Sequence, residues 1–161
     1  MNDLTALLAF GVCLALSALY SGSETAFYSL SRARLEADAA EGRRSARLVR
    51  YLIRDESLLL VTLLVGNNLV LELMTAFGDN LLGSAVSLPS ASREVVLTAL
   101  LTPLVFLLGE LVPKDVFRHR PHTLLGFCAP VIAFTRGLLL PLALPLRALA
   151  ALLERAAGLR P

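Results

Sequence analysis

The chain has 161 residues, of which 56% are apolar and 17% charged, with a formal net charge of +2 and a mean hydropathy of +0.69. That balance argues against an ordinary soluble domain, whose Leu-rich helices would carry polar stripes, and for a membrane protein. Cys13 and Cys128 sit among apolar residues with no Cys/His spacing suited to zinc, and the arginines lack interleaved aromatic residues, so no nucleic-acid partner is expected.

The first element is a span from Leu4 to about Ser29, since roughly 20 residues cross the hydrocarbon core. Its amino end lacks the positive region of a signal peptide and no small-x-small cleavage pattern follows, so it reads as a retained helix. Within it "SGSETA", Ser21–Ala26, sets hydroxyls, a glycine and the carboxylate of Glu24 at membrane depth, where such groups are costly unless they serve something. Ser17, Ser21, Glu24 and Tyr28 share one helical face, and Gly22 is expected to loosen the helix and expose backbone oxygens between Ser21 and Ser23.

Residues 31–56 hold seven of the fifteen Lys and Arg and read as a cytoplasmic pair of short amphipathic helices broken at Gly42. A second span, Ser57 to Leu82, carries "LLVGNNLV" and a stripe of Asn68, Glu72, Thr75 and Asp79, with Asn67 adjacent. The loop "GSAVSLPSASRE" has only Arg93 and reads as external, as does the amino terminus. A third span begins at Val95 and runs past Pro113 to near Arg120, with Thr98, Thr102 and Gly109 on one face and Glu110 beside them. In "GELVPK" Pro113 lacks the N–H that would pair the Gly109 carbonyl, which predicts a kink and a freed oxygen next to a carboxylate.

The last apolar stretch, Thr123 to Leu146, contains Pro130, Pro141, Pro145 and Arg136. It reads as helices lying along the inner face of the membrane, the juxtamembrane belt of a region 121–161, with a tilted fourth span as the alternative on length alone. The fold class is therefore all-α: a core of three transmembrane helices over 1–120, the short cytoplasmic helices at 31–56, and the belt. The amino terminus is expected outside and Pro161 in the cytoplasm.

The three polar motifs fall at one depth. Ser21 lies about 15 Å from Ser31 along its helix and Asn68 about 16 Å from Ser57, and Glu110 reaches the same level if its helix continues to Arg120. Hydroxyl, amide, carbonyl and carboxylate oxygens without Cys or His suit Mg²⁺, Ca²⁺ or Na⁺. The bland alternative is polar glue between helices; the intramembrane carboxylates Glu24, Glu72 and Glu110 favour an ion pathway.

"SALYSGSETAFYSLSRARL", "LLVGNNLV" and "GELVPK" together resemble the signature stretches of the CNNM/CorC family of magnesium transporters, in its membrane domain. The resemblance implies a homodimeric Mg²⁺ exporter of the cell (inner) membrane, driven by Na⁺ entry, rather than an enzyme; the chain has no nucleophile–base pair in the polar cluster. Position by position it implies Mg²⁺ ligands at Ser21, Gly22 and Ser23, at Asn67 or Asn68, and at Gly109 and Glu110, with Pro113 holding the kink. Leu71 and Glu72 stand where the family has a polar residue, often Asn, after the second motif, which bears on the outer pathway and any Na⁺ site, where Glu24 and Glu72 are candidates. Cytosolic nucleotide-binding CBS domains are expected to follow in the full-length protein. A sensor that binds the ion without moving it is the other class of function.

Overall fold

A computed structural model describes residues 3–85 and 90–156, all of them in helices or the short turns between helices. The elements are α1 (Asp3–Ser29), α2 (Arg32–Ala40), α3 (Arg44–Ile53), α4 (Glu56–Ala85), α5 (Ser90–Val105), a π-helical segment (Phe106–Leu111), α6 (Val112–His119) and α7 (Pro121–Ala156). Residues 86–89 of the expected outer loop and the carboxyl-terminal 157–161, including Pro161, lie outside the described residues.

The short helices between the first two spans start and stop for local reasons. Ser31 caps α2, its hydroxyl accepting from the Arg34 N–H at 3.4 Å, and Asp55 does the same for α4 through the Leu58 N–H at 3.1 Å. Gly42 ends the first helix of the pair with φ of 85°, a conformation that costs glycine little. The pair is tied together by Arg50–Glu36 at 3.2 Å and to the start of α4 by Arg32–Glu56. Its inner side buries Leu35, Ala39, Ala46, Val49, Leu52 and Ile53, while Arg44, Arg47 and Arg54 face outward.

Helix α1 is the axis of the molecule. It packs most extensively on α4 and also on the π segment, α6 and α7. Its outer turns leave Leu7, Leu8 and Val12 exposed, as α7 leaves Phe127 and Phe134, which suits helices whose solvent is lipid rather than water. The protein is an all-α membrane protein. Among the described residues three helices are long and apolar enough to cross a bilayer: Leu4–Ser29, Glu56–Gly78 and Pro121–Pro141.

The first two are the expected spans, and the other apolar segments are helical as well. The segment assigned to the belt is one of the three, because α7 runs as a single helix through Pro130, Pro141 and Pro145 instead of breaking there. A proline removes one backbone hydrogen bond and bends a helix, but neighbouring turns can carry it on, especially in an apolar setting. The expected third span, in contrast, is a continuous helical run from Ser90 to His119 divided into α5, the π segment and α6. In addition, α7 follows α3: Gly126 packs on Ser45, and ten residues later Arg136 donates to the Leu52 carbonyl at 3.2 Å and stacks over the Tyr51 ring at 5.2 Å.

Candidate functional site

The three polar motifs do converge, on the face of α1 that carries Ser17. That residue is fully buried, and its Oγ donates to Asn67 Oδ1 at 3.0 Å, joining α1 to α4. The π segment closes on the same spot. A Cβ added to Gly109 would stand 3.2 Å from Ser17 Oγ, so the glycine lets this backbone come near without displacing that hydroxyl. A Cβ added to Gly66, beside Asn67, would likewise stand 3.0 Å from the Tyr20 ring, and the Tyr20 hydroxyl bonds Thr135 of α7 at 2.7 Å. Thr135 gives its own proton to the Val131 carbonyl at 2.9 Å, so Tyr20 is the donor.

The helix around "GELVPK" is not a simple proline kink. Over Phe106–Leu111 it widens to the π register, in which the Val112 N–H donates to the Leu107 carbonyl. In an α-helix that N–H would serve Leu108, and the donor for Gly109 would be Pro113, which has none. Two successive carbonyls, Leu108 and Gly109, therefore lose their i+4 donors where one was expected. Nothing in the composition of "FLLGEL" announces a π turn; the glycine and the proline four residues later are the only signal, and they indicate the location without the register.

Ser21 lies one turn from Ser17 on the same side of α1, and its Oγ is buried with no hydrogen-bond partner among the described residues. Buried hydroxyls are seldom left so. Ser23 is also buried, but α1 runs unbroken through Gly22, so Ser23 points about 200° away from Ser21. It lies beside Cys128 of α7. The expected loosening at Gly22 does not occur. Gly22 serves close packing instead: a Cβ there would stand 2.5–2.7 Å from three carbons of the Phe117 ring.

Asn67 and Asn68 separate cleanly, Asn67 being half-buried against Ser17 and Asn68 exposed on the outer side of α4. Glu72 and Thr75 are exposed on that same outer side; the side chain of Asp79 lies outside the described residues. Thr98 and Thr102 are exposed too, so they share no buried face with Gly109. Glu24 is half-buried. Glu110, with 34% of its side chain exposed, stands next to the cluster with Oε1 4.0 Å from Lys114 Nζ. Pro113 is buried. The cluster thus brings together Ser17, Ser21, Asn67 and the backbone of Gly109, with one carboxylate at its edge: neutral oxygens of the hard kind. Ser17 is the member that motif reading did not single out as a ligand.

A polytopic α-helical membrane domain built around a buried hydroxyl, amide and carbonyl cluster is the class that this fold and site define. The family described as CNNM, the Cyclin M transmembrane N-terminal domain, matches residues 8–161, and the chain belongs to it. Among curated proteins it is similar to the UPF0053 inner membrane protein YfjD of Escherichia coli, 32% identical over 145 residues that are 90% of this chain and 33% of the relative. It is also similar to a UPF0053 protein of Haemophilus influenzae, 30% identical over 135 residues, 81% of this chain and 30% of the relative. The chain spans about a third of the length of these relatives.

Proposed function

We propose that this chain is the ion-conducting membrane domain of a Mg²⁺ transporter of the inner membrane, in which Na⁺ entry drives Mg²⁺ out, and that it is not an enzyme. The observation that carries the reading is the backbone of Gly109, whose carbonyl Pro113 deprives of its α-helical donor, set against the Ser17–Asn67 pair with the unpartnered Ser21 hydroxyl one turn away. A dehydrated divalent cation asks for about six oxygens, and a site of mostly neutral ones holds it only if they are fixed in place. Close packing at Gly109 and Gly66 supplies that rigidity. Glu110 gives the one negative charge, which leaves a bound Mg²⁺ with net positive charge and so releasable. Of the two asparagines, Asn67 is the ligand. The Ser23 side chain faces α7 and supplies no ligand.

The spans in this reading are α1, α4 and the run from α5 through α6, with the amino terminus outside. Helix α7 is the belt, supported by its course along the arginine-rich α3 and by the seating of Arg136 on Leu52 and Tyr51. Asn68 and Glu72 then point out of the subunit at membrane depth, where lipid cannot satisfy them, and a second copy of the chain would. The protein is accordingly a homodimer, followed in the full-length chain by cytosolic CBS domains. The test is Mg²⁺ flux from liposomes under imposed Na⁺ gradients, with Glu110→Gln removing the charge and keeping the shape. Flux that depends on Na⁺ and is nearly abolished in Glu110→Gln is expected; equal flux in the variant would refute the site. Binding of Mg²⁺ by calorimetry with no flux in any gradient would favour the sensor reading instead.

A further inference from the structure

We infer that Phe117 is the apolar barrier closing the oxygen cluster from the side of the α2–α3 pair, and that α6 is the lever that moves it. The inference rests on reading the cluster as a cation site. Gly22 is five residues, about 7.5 Å, nearer to that side than Ser17, and the Phe117 ring packs against its backbone, closer than any side chain at 22 would allow. The ring has no atom to offer a cation. A hydrated ion coming from that side therefore meets an apolar seal immediately before the Ser21 hydroxyl, the kind of constriction that gates by excluding water.

The construction of α6 fits a moving part. It has only eight residues, of which Pro113 and Phe117 are the buried ones, while Val116, Arg118 and His119 face outward. One end joins the π segment, where the hydrogen-bond register is already shifted, and the other ends at Arg120 in a non-helical conformation with φ −136° and ψ 56°. A helix so bounded can tilt as a unit while α1, tied by Ser17 to α4 and by Tyr20 to α7, stays in place. Withdrawing one ring from Gly22 would open the cluster.

The test is thiol accessibility in a background with Cys13 and Cys128 replaced by alanine, using a membrane-impermeant methanethiosulfonate on reconstituted protein presented from the α2–α3 side. Ser29→Cys, exposed at that end of α1, is the reference for free access. Ser21→Cys should react at least tenfold more slowly than the reference. Adding Phe117→Ala should bring Ser21→Cys within a fewfold of it, and Phe117→Leu, which keeps an apolar plug, should restore protection. Ser23→Cys, facing α7, should stay protected throughout, and elution and thermal unfolding of each variant report folding. The inference is overturned if Ser21→Cys is already as reactive as the reference, if Phe117→Ala leaves it protected, or if positions 21 and 23 open together, which would mean general loosening. Labelling uses no ion, so the expected pattern in a protein that fails to move Mg²⁺ would defeat the transport reading and leave the barrier standing.

Discussion

Gly109→Ala separates the stability of the fold from the function of the cluster. The new methyl would sit 3.2 Å from Ser17 Oγ and 3.6 Å from Leu14 Cδ1. The second contact is ordinary; the first requires Ser17 to give by a few tenths of an ångström. That hydroxyl is held at 3.0 Å from Asn67 Oδ1, so the movement comes out of the hydrogen bond, worth about 1 kcal/mol. Replacing glycine by alanine inside a helix returns about 1 kcal/mol. The two nearly cancel, and the apparent melting temperature in detergent should change little. Cation binding has no such compensation. Displacing Ser17 and crowding the Gly109 carbonyl disturbs two oxygens of the site, and a loss of about 1–2 kcal/mol corresponds to roughly 5- to 30-fold weaker Mg²⁺ binding by calorimetry. A variant stabilised by the full propensity gain and binding Mg²⁺ like the parent would refute the reasoning, because it would mean that Ser17 moves freely and the cluster is not rigid.

Gly22→Ala should be far worse for the fold, since its methyl would lie 2.5 Å from the Phe117 ring; about 2–3 kcal/mol of overpacking is expected, whereas Gly11→Ala, with nothing within 4 Å, should be neutral or stabilising in the same unfolding assay. Asn67→Ala leaves Ser17 Oγ without its acceptor and should weaken Mg²⁺ binding about tenfold, while Asn68→Ala should act on dimer mass in mild detergent more than on Mg²⁺ affinity; the reverse order would exchange their assignments. Arg136→Met keeps bulk in α7 but loses the Leu52 carbonyl and the Tyr51 ring, and should raise proteolytic cleavage at the α2–α3 pair with a stability loss of about 1–2 kcal/mol.

The sequence alone determined the class of the protein, the first two spans, the basic helical pair with its break at Gly42, and the three motifs that meet in the core. These follow from quantities that are local along the chain: the length of an apolar run, the sign of its flanks, a glycine where φ must be positive. It also placed the three motifs near one depth, because each lies about the same number of helical turns from a charged end. Which atoms of those motifs meet was decided only in three dimensions. In a soluble helix the apolar stripe shows which side faces in; α4 is apolar nearly all round, so nothing in "GNN" told Asn67 from Asn68, and the choice came from where Ser17 and Tyr20 of α1 stand. The unbroken course of α1 through Gly22 sent Ser21 and Ser23 to opposite sides, since a small residue permits a break but neighbouring helices packed on it forbid one. The π register and the survival of α7 through its prolines have the same origin. A hydrogen bond shifted or lost costs about 1 kcal/mol, and whether a helix accepts that cost depends on what the surrounding helices gain. That sum includes residues a hundred positions away, which no local pattern contains.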